Sequence, residues 1–307
     1  MPLPERGPRP HPYFRIPDER ITVEFRDGEG NDRRVATRHK VAGSGPPIVL
    51  VHGLMTSSYS WRYVIGPLSE RHRVYAPDLV GSGETDAPGD LVYSVANVAR
   101  FLVAYVRRLE VEAPYLVGNS LGGLYCLKAL LDEPGLARRF VLSHAPGYPM
   151  RRMRAMHAAL AIPGVATANA WAFRRFADAI VARSVRYCRP DMMSREEVRE
   201  YARPLRTPHG ARVFVRTLRE SLDPAEHASI VTELRRTGIV PPVLLLFARR
   251  DALVPPEFGP RFAGDIPGST LHWIDRSSHF TQVDQPERTV AEIIGFDEHL
   301  PVRSSGA

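Results

Sequence analysis

The sequence predicts an α/β fold, in which a mostly parallel central sheet is flanked by helices and interrupted by one helical insertion. Short apolar, β-branched runs alternate along the chain with stretches of helical periodicity, and this alternation favours a parallel sheet with right-handed crossovers. Between residues 147 and 240 the alternation stops, and only helical periods remain. The prediction is therefore an α/β core that carries a helical cap.

The predicted elements begin with an antiparallel hairpin. Residues 21–26 alternate apolar and polar side chains, the sequence DGEGN favours a turn, and residues 33–41 form the returning strand. Buried strands of a parallel sheet are expected at 48–51, 73–76, 115–117, 139–143, 243–247 and 270–274. Helices of the core are predicted at 57–71, 94–109, 121–132 and 286–300.

The same pattern divides the chain into segments. Residues 1–19 are rich in proline, which predicts a flexible N-terminal arm. The core comprises residues 20–146 and 241–307, and the cap is residues 147–240. Helices of the cap are predicted at 153–160, 171–185, 196–204 and 212–222. Because the cap lies between two strands of one sheet, we interpret it as an insertion and not as an independent domain.

The composition excludes several classes of protein. Of the 307 residues, 44% are hydrophobic and 24% are charged, which excludes a wholly disordered or collagen-like chain. The two cysteines, Cys126 and Cys188, are too few for a disulfide scaffold or a multi-cysteine zinc site. No apolar run reaches the roughly 18 residues of a membrane span, and the N-terminus lacks the apolar stretch of a signal peptide. We expect a soluble, cytoplasmic protein.

The excess positive charge is concentrated in the predicted cap. The chain has a net charge of +7, and residues 147–240 contain 17 arginines, no lysine and nine acidic residues. This segment either attracts an anionic substrate or surface, or has solvated helix faces on which arginine replaces lysine. No zinc-finger, RNP-type or helix-turn-helix pattern accompanies the arginines, so we expect no nucleic-acid partner.

The strongest chemical motif is Gly-Asn-Ser-Leu-Gly-Gly at residues 118–123. It fits G-x-S-x-G and lies between a predicted buried strand and a predicted helix, as a nucleophile elbow requires. The sharp turn would expose the hydroxyl of Ser120, and Gly118 and Gly122 would leave room for neighbouring backbone. A serine hydroxyl is a weak nucleophile at neutral pH, so it needs a nearby base.

Candidates for the base and its orienting acid follow the last two predicted strands. Asp251 comes after strand 243–247 and His279 after strand 270–274, at the edge where parallel sheets build their sites. The order Ser, Asp, His is the one expected for this elbow. Asp275 and Asp284 also flank His279, but their positions fit a strand end and a loop better. We therefore predict a triad of Ser120, His279 and Asp251.

Two backbone N–H groups are predicted to form the oxyanion hole. The helix that follows the elbow offers the N–H of Leu121, and the loop after strand 48–51 offers that of Leu54. His52 in the same loop is interpreted as an orienting residue. Asp78, which precedes Gly-Ser-Gly, is interpreted as part of a structural turn.

Taken together, these motifs resemble the α/β-hydrolase family. The resemblance covers roughly residues 20–146 and 241–300, in the stretches LVHG (50–53), APDLVGSG (76–83), GNSLGG (118–123), RD (250–251) and SH (278–279). Residues 57–86 resemble the haloalkane dehalogenase and epoxide hydrolase branches, but those use an aspartate where this chain has Ser120. Dehalogenases also have a tryptophan where this chain has Leu121. The sequence is more similar to the esterase and carbon–carbon bond hydrolase branches.

The resemblance implies a serine hydrolase whose cap selects the substrate. Met150, Met153, Trp171 and Phe173 either line an apolar pocket or pack the cap on the core. We predict cleavage of a carboxylic ester of a small, largely apolar substrate through an acyl-enzyme. One alternative is a carbon–carbon bond hydrolase acting on a vinylogous diketone acid, and another is a non-catalytic ligand receptor. No metal or organic cofactor is expected, because the triad and oxyanion donors suffice, and the oligomeric state stays open.

Overall fold

In the computed structural model, which describes residues 3–298, the centre of the molecule is an eight-stranded sheet. Its strands are β1 Asp18–Arg26, β2 Asp32–Ala42, β3 Pro47–Val51, β4 Arg73–Pro77, β5 Tyr115–Asn119, β6 Arg139–Ser143, β7 Val243–Phe247 and β8 Thr270–Trp273. Their order across the sheet is β1-β2-β4-β3-β5-β6-β7-β8. β1 and β2 form an antiparallel hairpin, and β2 also pairs with β4 in antiparallel fashion. The remaining neighbours, in the order β4-β3-β5-β6-β7-β8, all pair in parallel. The predicted fold class is confirmed.

Twelve α-helices are present within residues 3–298. The first three, all in the core, are α1 Ile65–Ser69, α2 Val95–Arg108 and α3 Leu121–Asp132. Residues 147–240 contain α4 Arg151–Ala161, α5 Val165–Arg175, α6 Ala177–Ser184, α7 Arg195–Ala202, α8 Pro208–Glu220 and α9 Pro224–Thr237. The core then resumes with α10 Phe258–Asp265, α11 Thr281–Asp284 and α12 Pro286–Glu298. None of these helices combines the length and apolar character needed to cross a bilayer.

Successive strand residues point to opposite sides of the sheet, and an apolar cluster with helices buries each side. On one face, residues such as Val49 and Val51 join an apolar cluster with α2, α3 and α10. On the other, Ile48 and Leu50 join a cluster with α1 and α12. This double burial explains why β3 is a continuous apolar run. A binding site is then expected at the loops that follow the carboxyl ends of the parallel strands.

Several predicted helices differ in the structure. The helix expected at 57–71 is a 3-10 turn at Ser58–Trp61 followed by the short α1, because Pro67 has no N–H and fits only the first turn of a helix. The helix expected at 171–185 is broken at Phe176, whose φ of −121° and ψ of 26° are not helical. α9 and α10 were not predicted. The predicted end of the last helix, at residue 300, lies outside the described residues.

The N-terminal segment packs against the rest of the molecule, contrary to the prediction of a flexible arm. Tyr13 is fully buried, and its hydroxyl lies 2.7 Å from the hydroxyl of Ser58. The carbonyl oxygens of Pro4 and Glu5 accept hydrogen bonds from the first residues of α7. Proline content predicted extended backbone, but the buried aromatic ring and these backbone bonds hold the segment in place.

Candidate active site

The elbow motif forms a strained turn between β5 and α3. Ser120 has φ of 58° and ψ of −128°, a conformation that L-residues with a side chain rarely adopt. Its N–H donates a hydrogen bond to the carbonyl oxygen of Ser143 at the end of β6, over 2.8 Å. The turn is therefore held by the two strands and the helix around it, and Ser120 lines a cavity beside it.

Neighbouring backbone leaves no room for side chains beside Ser120. A Cβ on Gly122 would lie 2.3 Å from the carbonyl oxygen of Val51, and one on Gly118 would lie 2.6 Å from that of Gly122. Both distances are far below van der Waals contact. The two glycines thus allow β3, β5 and α3 to approach closely enough to place Ser120 next to the loop after β3.

His279 and Asp251 form a buried pair. His279 Nδ1 and Asp251 Oδ2 are 2.7 Å apart, and Asp251 Oδ1 accepts hydrogen bonds from the N–H groups of Leu253 and Val254 at 2.6 and 2.9 Å. Burial alone would raise the pKa of Asp251, but His279 and these donors bring it down to about 2. The carboxylate is ionised at neutral pH, so Nδ1 donates and Nε2 is left as the acceptor.

Ser120 and His279 line one cavity of about 490 Å³. Leu54 and Leu121, the predicted oxyanion donors, lie on the same wall, whereas Asp251 lies behind His279. The loop of Leu54 is fixed by the buried His52, whose Nδ1 donates to the carbonyl of Gly53 at 2.8 Å. His52 Nε2 accepts the N–H of Leu79 at 3.0 Å. His52 therefore orients this loop from outside the cavity.

The loop that carries His279 is anchored from three sides. The carbonyl oxygen of His279 accepts a hydrogen bond from the Asn119 side chain at 3.1 Å. Asp284 accepts bonds from the N–H groups of Ser278 and Cys188 at 2.8 and 2.9 Å. Asp284 thus positions the loop, and Asp275 is exposed at the strand end.

The rest of the cavity wall is largely apolar. Met150 and Met153, which the sequence singled out, lie on it. Trp171 and Phe173 do not: Trp171 is 62% exposed, and Phe173 packs against Phe214 with ring centroids 4.9 Å apart. The wall also contains Met55, Pro146, Met156, Val185, Leu218, Leu222, Leu253, Val254 and Phe280, together with Ser184 and Arg152.

His144 is a residue near the site that sequence reasoning missed. It follows β6, has a φ of 49°, and is fully buried with its ring centroid 5.6 Å from that of His279. Burial lowers the pKa of His144 to about 3, so the ring is neutral. Its Nδ1 lies 2.9 Å from the hydroxyl of Ser143, and its Nε2 has no hydrogen-bond partner within residues 3–298. Only its position after a parallel strand could have indicated it.

Within residues 3–298 we also looked for a phosphate-binding loop at Asp78, a second nucleophile at Cys126 and a metal site. Asp78 is fully buried and accepts hydrogen bonds from Ser58, Arg38 and the N–H of Glu84, so it fixes a turn. Burial raises the pKa of the Cys126 thiol, which keeps it protonated. In residues 3–298 no group of three or more His, Cys, Asp or Glu residues is arranged to hold a metal ion.

Known proteins share this architecture. A model of the alpha/beta hydrolase fold matches residues 46–286. The uncharacterized protein Rv2715 of Mycobacterium tuberculosis is 30% identical over 286 residues, which cover 88% of this chain and 79% of the relative. A 2-hydroxy-6-oxo-2,4-heptadienoate hydrolase of Pseudomonas putida is 30% identical over 252 residues, 79% of this chain and 86% of the relative. The crystal structure of an alpha/beta hydrolase fold protein from Burkholderia ambifaria superimposes with a TM-score of 0.72 and 25% identity, covering 90% of this chain and 97% of that one.

Proposed function

Since this chain belongs to the α/β-hydrolase family and is a hydrolase, we propose that it cleaves a carboxylic ester of a small, largely apolar substrate. The proposed triad is Ser120, His279 and Asp251. The observation that carries the proposal is the 2.7 Å contact between His279 and Asp251, with His279 sharing a cavity wall with the strained Ser120. A base held in one tautomer on the same cavity wall as a serine is the arrangement that nucleophilic catalysis by serine needs.

The reaction would proceed in two halves. Ser120 Oγ attacks the ester carbonyl while His279 Nε2 takes its proton, and the tetrahedral intermediate expels the alcohol, which receives that proton. Water then attacks the acyl-enzyme with His279 again as the base, and the acid leaves as Ser120 regains its proton. Asp251 keeps Nδ1 protonated and stabilises the imidazolium that forms in each half.

The backbone N–H groups of Leu54 and Leu121 are the proposed oxyanion donors. Leu121 is the first residue of α3, so its N–H has no partner within the helix and the helix dipole favours negative charge there. His52 and Thr56 both donate to the carbonyl of Gly53, at 2.8 and 2.9 Å. This carbonyl and the N–H of Leu54 belong to the same planar peptide group, so these bonds support a fixed orientation for the Leu54 N–H.

Residues 147–240 are proposed to act as a cap that selects the substrate. They contribute Met150, Met153, Met156 and Leu218 to the wall that faces the core. Methionine side chains adapt to irregular ligands, and an apolar wall favours an apolar acyl group.

The test is hydrolysis of p-nitrophenyl acetate, butyrate and hexanoate, together with labelling by a fluorophosphonate. Wild type should turn over at least one ester and form an adduct that mass spectrometry maps to Ser120. Ser120→Ala should lose both properties and keep the wild-type melting temperature. Turnover that survives in Ser120→Ala, or an adduct on another residue, would overturn the proposed triad.

Carbon–carbon bond hydrolysis is the second candidate. The relative from Pseudomonas putida, whose name gives a 2-hydroxy-6-oxo-2,4-heptadienoate as substrate, favours it. Such dienoates absorb visible light, so loss of the chromophore on adding enzyme tests this candidate directly. Bleaching without ester turnover would favour it over ester hydrolysis.

A further inference from the structure

One side chain with a permanent charge lies on the wall of the 490 Å³ cavity that Ser120 and His279 line, which we call the catalytic cavity. Among the described residues that line this cavity, Arg152 alone carries a guanidinium, ammonium or carboxylate group. It lies in the first turn of α4, between the cavity residues Met150 and Met153. Arg152 is an exposed residue, so its charge stays hydrated, whereas the rest of the wall is largely apolar and favours neutral groups.

Arg152 also lines a second, more open cavity of about 480 Å³. The two cavities share Met150, Arg152 and Leu253, so they adjoin. The wall of the second cavity includes three arginines, Arg151, Arg152 and Arg261, and two carboxylates, Asp251 and Glu257, which leaves an excess of one positive charge. Arg152 therefore lies where the apolar catalytic cavity meets a basic outer cavity.

The guanidinium of Arg152 has no carboxylate partner within residues 3–298. Its one hydrogen bond in the described structure is donated to the carbonyl of Ala252 at 3.0 Å. Six of the other 16 arginines of residues 147–240 form ion pairs with carboxylates of the described residues, so the missing carboxylate does not by itself set Arg152 apart; its position on the cavity wall does. The six pairs are Arg189–Asp191, Arg199–Glu5, Arg203–Glu84, Arg206–Asp178, Arg216–Glu220 and Arg235–Asp265. Arg152 has guanidinium donors beyond the one that Ala252 accepts, and a planar guanidinium suits a carboxylate.

We propose that the substrate carries a carboxylate at the end of its acyl part remote from the scissile bond, and that Arg152 binds it. This inference rests on the proposed function, because it assumes that Ser120 attacks the carbonyl of an ester and is acylated by it. The apolar middle of the acyl chain lies along Met150 and Met153, and the anionic end reaches the outer cavity. Arg152 is then a specificity-determining residue.

Matched esters test the proposal. Wild type is expected to prefer the p-nitrophenyl half-ester of adipate over p-nitrophenyl hexanoate, which has the same chain length and no charge. In Arg152→Gln, kcat/KM for the half-ester should fall about tenfold, through KM, as expected for loss of one charge-assisted hydrogen-bonded pair. Turnover of the hexanoate should be unchanged, and added NaCl should weaken the preference in wild type only.

Arg154→Gln is the matched control. Arg154 is an exposed arginine of the same helix and lines neither cavity. It should leave both esters unaffected. An equal loss for both esters in Arg152→Gln would assign Arg152 to support of the Asp251 loop through Ala252. Unchanged kcat/KM for both esters would assign it no role, and either result overturns the proposal.

The inference can fail separately from the proposed function. If no ester is turned over, the proposed function fails, and calorimetric binding of adipate and hexanoate still tests Arg152. Tighter binding of adipate by wild type, lost in Arg152→Gln, would support the anion site. Equal binding of the two acids by wild type would overturn it.

Discussion

The core and residues 147–240 differ in how they hold the side chains that line the cavity. In the core, Ser120, Asp251 and His279 follow β5, β7 and β8, and close backbone packing fixes the serine turn, as the 2.3 Å distance for a Cβ on Gly122 demonstrates. In residues 147–240, side chains such as Met153 and Arg152 face a cavity, and no strained turn holds them. On the proposed function, we therefore expect backbone constraints to set the chemistry and replaceable side chains to set the selection of the substrate.

The sharpest test of this contrast is at Ser120. Ser120→Ala and Ser120→Gly should both lower kcat by about 10⁴-fold or more, the scale found when a serine nucleophile is removed. Only Ser120→Gly should raise the free energy of unfolding, by about 1 kcal/mol, because glycine adopts a φ of 58° without the steric cost that a Cβ brings. Turnover and urea unfolding measure the two effects.

The pair of variants separates strain from chemistry. Both lack the hydroxyl, so a difference in stability between them reports the backbone conformation alone. If Ser120→Gly proved no more stable than Ser120→Ala, the elbow would store no strain, and the proposed contrast between core and residues 147–240 would lose its physical basis.

The next largest effect is expected at Gly122. Gly122→Ala should lower the free energy of unfolding by about 3 kcal/mol, because a Cβ there would overlap the carbonyl oxygens of Val51 and His52 and force β3 from α3. Gly264→Ala is the matched control in α10, where a Cβ meets nothing within 4 Å. It should be neutral or stabilising by up to about 1 kcal/mol. Equal effects at the two sites would contradict the packing argument.

The lowered pKa of Asp251 predicts a pH-dependent contribution to the free energy of unfolding. Its pKa in the folded protein, about 2, is lower than the ordinary value of 3.8. The ionised carboxylate therefore stabilises the fold above pH 4 by roughly 2 kcal/mol, and this contribution is lost as the pH falls toward 2. Wild type should exceed Asp251→Asn in unfolding free energy at pH 7, and the difference should shrink between pH 5 and pH 3.

The exposed Asp275 supplies the control for this titration. Asp275→Asn should leave the free energy of unfolding at pH 7 within about 0.5 kcal/mol of wild type, because the residue is exposed at the strand end. A difference between wild type and Asp251→Asn that stayed constant from pH 7 to pH 3 would mean that the carboxylate is not held ionised by His279.

How far the sequence could predict the molecule depends on which interactions decide each feature. β6 and β7 were predicted at their observed bounds, because doubly buried strands leave continuous apolar runs. The break at Phe176 and the helices α9 and α10 were missed, since tertiary packing, and not local periodicity, decides them. The serine elbow was recognisable because its glycines are required by backbone approach.

The cavity wall was less predictable than the elbow. Met150, Met153, Trp171 and Phe173 recur at similar helical spacing, and only packing separates the two that line the cavity from the two that do not. His144 has no motif around it, and Arg152 is one of 17 arginines in residues 147–240. Their positions become visible only when strands and helices are brought together, and the roles of the triad and the cap stay predictions until the variants are measured.

The smallest effect is expected on the preference for acyl-chain length, and it is tested by comparing two apolar residues within 147–240. Met153 is 2% exposed and lines the catalytic cavity, whereas Trp171 is 62% exposed. Met153→Ala should enlarge the cavity and shift the preferred p-nitrophenyl ester toward a longer acyl chain, at a cost of about 2 kcal/mol in stability. Trp171→Ala should change neither the chain-length profile nor the unfolding free energy by more than about 0.5 kcal/mol. A shift of the profile in Trp171→Ala, with none in Met153→Ala, would mean that the exposed face of α5, and not the methionines of α4, contacts the substrate.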